Sequence, residues 1–123
     1  MFILAIIRLL LVLFVIFQHI YIAIMEMFFY DGGAIQRNFV LNEEFLRDER
    51  VKKMIVNQGL YNGFLAMGLI WSIFEKGLFQ IQLLTFFLSC ITCAAIYGGM
   101  TISKKIFFLP GLPAAIDLMS LLL

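Results

Sequence analysis

Residues 2–30 read FILAIIRLLLVLFVIFQHIYIAIMEMFFY. The stretch contains no glycine or proline, and Arg8, His19 and Glu26 are its basic and acidic residues. A secretory signal has an apolar region of only about 7–15 residues and ends at a small-x-small cleavage site. Here Leu9 to Met25 stays largely apolar and no A-x-A follows. The stretch is therefore expected to be a retained transmembrane helix. About 100° of turn per residue puts Arg8, His19 and Glu26 within about 20° of one azimuth, and a polar stripe of this kind should face protein rather than lipid. His19 and Glu26 are seven residues apart, roughly 10 Å along the axis, so their partners must come from elsewhere.

Outward from this stretch the chain repeats the pattern. Further apolar runs span about 54–74, 78–100 and 106–123. Each is close to the ~20 residues that cross ~30 Å of hydrocarbon. The whole chain of 123 residues is 63% hydrophobic, with a mean hydropathy of +1.03. Soluble domains run about 45–50% apolar, so lipid is expected to solvate most of this one. Helices are expected throughout, because open strands would leave unpaired backbone groups in lipid. The expected fold is a single all-α membrane domain, a bundle of four transmembrane helices over 2–30, 54–74, 78–100 and 106–123.

Charge sets the expected orientation. Arg37, Arg47, Arg50, Lys52 and Lys53 lie between the first two spans, and Lys104 and Lys105 between the last two. Only Arg8 and Lys76 fall on the other face. Seven cations against two predict that the longer loops are cytoplasmic and both termini outside. Arg8 is expected to snorkel to the outer headgroups. No basic stripe interleaved with aromatics appears, so nucleic acid is not an expected partner.

The first loop should hold a helix capped by Asn42, with i,i+4 pairs Glu43–Arg47, Asp48–Lys52 and Glu49–Lys53, and no breaker separates it from the second span. Glu75-Lys76-Gly77 predicts a tight hairpin between antiparallel neighbours. Pro110-Gly111-Leu112-Pro113 should kink or break the last span, and the freed backbone groups must find partners in protein or water.

An alternating path brings most of the remaining polar residues to the cytoplasmic half. Asn57, Gln58, Tyr61 and Asn62 open the second span, and Tyr97 and Thr101 close the third. With His19 and Glu26 they form the candidate ligand-binding set. Gly59 and Gly63 form a small-xxx-small pair that allows close helix approach, either within the chain or in a homo-oligomer. Asp117, midway along the last span, is expected to pair with His19 or to stand unpaired as a neutral acid. Cys90-x-x-Cys93 has no second pair and only one His in the chain to join it, and reads as packing. The phenylalanines read as lipid-facing bulk, and Trp71 as an anchor at the outer interface. No phosphate loop, Ser/His/Asp pattern or HExxH motif is present, so no catalytic residue, metal or other cofactor is assigned.

His19-Ile20-Tyr21-Ile22, Glu26-Met27-Phe28 and above all Asn57-Gln58-Gly59-Leu60-Tyr61-Asn62-Gly63-Phe64-Leu65-Ala66 resemble the motifs of a family of small uncharacterised bacterial inner-membrane proteins. Tyr97-Gly98, Thr101, Ser103-Lys104 and Gly111-Leu112-Pro113-Ala114 are similar to its later motifs. The resemblance covers nearly the whole chain. It implies four membrane helices in a bacterial inner membrane and, for a domain of unknown function, names no activity. That family often has an acidic residue before the His and a Gln before Gly-Leu-Pro; Gln18 and Pro110 stand there instead. An acidic partner that would orient the imidazole is thus missing, and the cysteine pair falls outside the pattern.

These residues point first to binding or transport of a small polar or amphipathic ligand in a polar cavity of the cytoplasmic half. A proton-coupled small exporter, a membrane enzyme acting on a lipid-soluble substrate, and a structural subunit of a membrane complex stay open beside it.

Overall fold

The first apolar run forms one uninterrupted helix, α1 (Phe2–Phe28), in a computed structural model that describes residues 1–39 and 41–123. Its buried residues are Val12, Val15, Ile16, His19, Ala23 and Glu26, spaced by three and four, so one stripe carries the packing. The chain then turns through Asp31-Gly32 into two short helices, α2 (Gly33–Phe39) and α3 (Glu43–Leu46). Asn42 caps α3 by accepting the Phe45 N–H at 2.7 Å, and Glu43 pairs with Arg47 at 2.7 Å, both as expected.

The loop helix and the second span do not merge. Asp48 interrupts them and caps α4 (Glu49–Phe74), its Oδ1 accepting the Arg50 N–H at 2.9 Å. The Arg50 guanidinium also binds this carboxylate, at 2.7 Å, and holds it below its usual range. Asp48 is thereby committed to its cap and to Arg50, and the expected Asp48–Lys52 pair does not form. Neither does Glu49–Lys53. Lys52 lies instead over the Tyr30 ring, 5.2 Å from its centroid.

Glu75-Lys76 turns α4 into α5 (Gly77–Thr101). Gly77 has φ +64°, which a side chain would strain. After Ser103 come one turn of helix, α6 (Lys104–Ile106), a π-helical turn (Phe107–Gly111) and α7 (Leu112–Ser120). The widened turn has a local cause. Pro110 has no N–H to give the carbonyl four residues back, and the Leu112 N–H reaches Phe107 O, five back.

All regular structure among the described residues is helical. α1 packs most extensively on α4, α4 on α5, and α5 on the π-turn and α7, which closes back on α1. Val12, Val15, Ile16, Leu69, Leu88, Ile91 and Ala114 form the main core. Gly59 of α4 lies directly against Ala23, Glu26 and Met27 of α1. Arg8 Nε donates to Ser120 Oγ at 3.1 Å, and its guanidinium also donates to the Ser120 carbonyl. The start of α1 and the end of α7 therefore share one end of the protein. Arg8 turns inward rather than snorkelling outward.

α1 and α5 are each long and apolar enough to cross a membrane, with mean hydropathies of 2.6 and 1.8 over their best windows. α4 begins earlier than expected and includes Glu49, Arg50, Lys52 and Lys53. The fourth apolar run is divided among α6, the π-turn and α7.

Candidate functional site

Away from the Arg8–Ser120 end, α1, α4, α5 and the C-terminal stretch surround a cavity of about 590 Å³. That lies within the ~300–1,000 Å³ of small-molecule sites. The packing explains its place. Gly59 draws α4 against α1, and α4 and α5 are tied by their hairpin at the opposite end, where Gln80 Nε2 donates to Ser72 O at 2.9 Å. Ile22, Leu65, Ile91, Ala95 and Leu109 give the cavity apolar walls, and Ile35 of α2, itself buried, covers the loop end. The exposed Tyr61, Tyr97 and Lys105 stand at the rim.

Glu26 is the polar centre. Its side chain is 0% exposed, and Asn62 Nδ2 donates to its two oxygens at 3.2 and 3.4 Å. Gln58 Nε2 donates to Oε1 at 3.4 Å. These are long bonds from neutral amides, and no cation among the described residues forms an ion pair with the carboxylate.

His19, 4% exposed, has its Nδ1 2.9 Å from Val15 O. A carbonyl only accepts, so Nδ1 carries the hydrogen and neutral imidazole leaves Nε2 as a bare acceptor. The ring is thus oriented by its own helix, with no contribution from position 18. His19 and Glu26 do not bond each other.

Gln18 donates from Nε2 to Leu109 O at 2.7 Å. The residue four positions after Leu109 is Pro113, which has no N–H, so this carbonyl lacks its ordinary helical partner and Gln18 supplies one. The bond also fixes the amide orientation: Gln18 Oε1 is the remaining atom, buried with no partner among the described residues.

The structure brings His19, Glu26, Gln58, Tyr61, Asn62 and Tyr97 to one cavity. It does not bring Asn57 or Thr101. Asn57 is about 100° round the helix from Gln58 and lies on the outer surface beside Met27, Lys53 and Leu60. Thr101 is exposed and turns its hydroxyl back onto Tyr97 O at 2.7 Å. Asp117 does not meet His19. It is buried near the other end, its Oδ1 3.4 Å from Ser120 Oγ and its Oδ2 without a partner among the described residues. Cys90 and Cys93 are free thiols.

Gln18, Ile35 and Lys105 were missed as lining residues. For Gln18 a signal existed, since Pro113 announces an orphaned carbonyl at Leu109. Ile35 and Lys105 depend on how the loops fold back, which no local pattern encodes.

A family model described as "Protein of unknown function (DUF1304)" matches residues 13–122, from before Gln18 to beyond Asp117. The chain belongs to this family. The "Uncharacterized protein YpaA" of Lactococcus lactis subsp. lactis (strain IL1403) is 33% identical over 115 residues, covering 94% of this chain and 96% of that protein. No solved structure matches. The DUF1304 match takes in every cavity residue and leaves out Arg8. Membership carries no activity with it, so the chemistry of this DUF1304 chain has to be argued from the cavity itself.

Proposed function

We propose that this protein crosses the membrane four times and binds a small amphipathic molecule in the cavity between α1, α4, α5 and residues 105–110. The four crossings are α1, α4, α5 and the broken stretch 104–120. Only 22% and 17% of the best apolar windows of α1 and α5 are buried by the protein, whereas the core helix of a soluble protein is mostly buried. Lipid is the solvent that would cover the remainder. The seven loop cations support a cytoplasmic position for the cavity end. With Arg8 turned onto Ser120, Lys76 is the remaining cation opposing that bias. The bilayer is that of the bacterial cytoplasmic membrane.

Glu26 carries the functional reading. A fully buried carboxylate is expensive without a counter-charge, and helix adhesion alone would be served by the amides. Its position beside a cavity whose walls are mostly apolar gives one bound molecule both an apolar body and a polar end to match. The core of Val12, Val15, Leu69 and Leu88 fills the opposite half, which supports one-sided binding over an open path.

The test is native mass spectrometry of the gently extracted protein beside Ala94→Trp, which adds bulk at a residue of α5 that lines the cavity and removes no polar group. A small molecule or lipid retained by the unsubstituted chain and lost from Ala94→Trp, with helicity and thermal transition unchanged, is the expected result. An adduct that survives the tryptophan, or a protein partner retained by both, overturns the proposal.

A further inference from the structure

We infer that the cavity selects a ligand whose polar end donates hydrogen bonds and carries positive charge, an amphipathic primary amine seated on Glu26. The inference rests on the binding reading above and follows from what the walls leave unpaired. Gln18 has spent one amide hydrogen on Leu109 O, and its Oε1 is a buried acceptor without a partner among the described residues. His19 has spent its Nδ1 hydrogen on Val15 O and keeps Nε2, also an acceptor. Glu26, when ionised, accepts only, and two long-bonded neutral amides leave part of its capacity for acceptance unused. Gln58 and Asn62 each already direct an amide hydrogen at Glu26, and Asn62 Nδ2 also donates to Gln58 O.

The unspent groups at the buried end of the cavity are therefore chiefly acceptors, and its donors are the second hydrogens of amides already bonded and the rim groups of Tyr61, Tyr97 and Lys105. An alcohol meets those acceptors with one hydrogen, and an ammonium meets them with three and supplies the missing counter-charge. An anionic head would meet Glu26 as a like charge. Lys105 is the cationic lining residue and is exposed, so an anion-headed amphiphile would be held at the rim. The amine's apolar tail would lie along Ile22, Leu65, Ile91 and Leu109.

The experiment places the full chain in nanodiscs of zwitterionic lipid, with empty discs as background. Affinities are measured for four probes of equal chain length: decylamine, decyltrimethylammonium, decanol and decanoate. Decylamine should bind most tightly. Decyltrimethylammonium, with the same charge and no N–H, and decanol, with one donor and no charge, should each bind at least about tenfold more weakly. Glu26→Gln should weaken decylamine by at least about tenfold, and Ala94→Trp should abolish binding. Equal affinity for the quaternary probe, or tightest binding of decanoate lost in Lys105→Ala, overturns the donor rule and leaves the cavity standing. Failure of every probe to bind, or binding indifferent to Ala94→Trp, overturns the cavity reading and the inference with it. The probe series is read on the unsubstituted chain, so the result holds even where a variant misfolds.

Discussion

Gly59 and Gly63 look equivalent in the sequence, and the structure predicts that alanine separates them. A Cβ at Gly59 would stand 2.7 Å from Met27 Cγ, 2.9 Å from Glu26 Cβ and 3.1 Å from Ala23 O. Met27 can move its side chain, but the other two atoms are fixed to the α1 backbone, so relief requires α4 to shift. At Gly63 the nearest atom is Ala23 Cβ at 3.9 Å, an ordinary contact. Replacing a mid-helix glycine by alanine gains ~0.5–1 kcal/mol at either position, so this gain cancels in the comparison. Overpacking costs ~1–3 kcal/mol. Gly59→Ala should therefore be about 1–3 kcal/mol less stable than Gly63→Ala, and Gly63→Ala at least as stable as the unsubstituted chain. A shift of α4 also draws Asn62 away from Glu26, where its bonds are already 3.2 and 3.4 Å. Reversible unfolding in detergent with increasing dodecyl sulfate, followed by far-ultraviolet circular dichroism, measures the difference. Equal stability of the two variants, or greater damage from Gly63→Ala, would refute the assignment of the close approach to Gly59.

Gln18→Leu should cost about 1–3 kcal/mol in the same titration, because Leu109 O then has neither a helical nor a side-chain donor; a neutral effect would mean that water replaces the amide. Gly111→Ala should cost a similar ~1–3 kcal/mol, since its Cβ would lie 2.6 Å from Ala95 Cβ, which cannot rotate away. A gain in stability would place the π-turn farther from α5. Trp71, the single tryptophan, is half exposed and donates to Glu75 Oε1 at 2.9 Å beside the hairpin. In bilayers its fluorescence should be quenched more by bromines near the headgroup than by bromines at the chain ends, and the reverse order would contradict a hairpin at the interface.

What could be read from residues alone was local. The azimuths of residues 8, 19 and 26 follow from helical geometry, and His19 and Glu26 are both buried on α1 as that geometry requires. Asn42 as a cap, the turn at Glu75–Lys76 and a break near Pro110 follow from short-range backbone chemistry. Partners across helices were legible only as a set. The second span offered four polar residues to Glu26, and the crossing of α1 and α4 at Gly59 directs Gln58 and Asn62 inward and Asn57 outward. Asp117 and His19 each lie in an apolar run and look like natural partners. The register of α7 instead takes Asp117 to the far end, where its neighbour Ser120 receives Arg8. Sequence by itself determined the helical character of the apolar runs, the shared face of His19 and Glu26 on α1 and the charge asymmetry of the loops, because each depends on residues within a few turns of one another. Tertiary structure alone decided which acceptors were left unpaired in the cavity, because that depends on the offset and angle between helices, set by whole surfaces packing together.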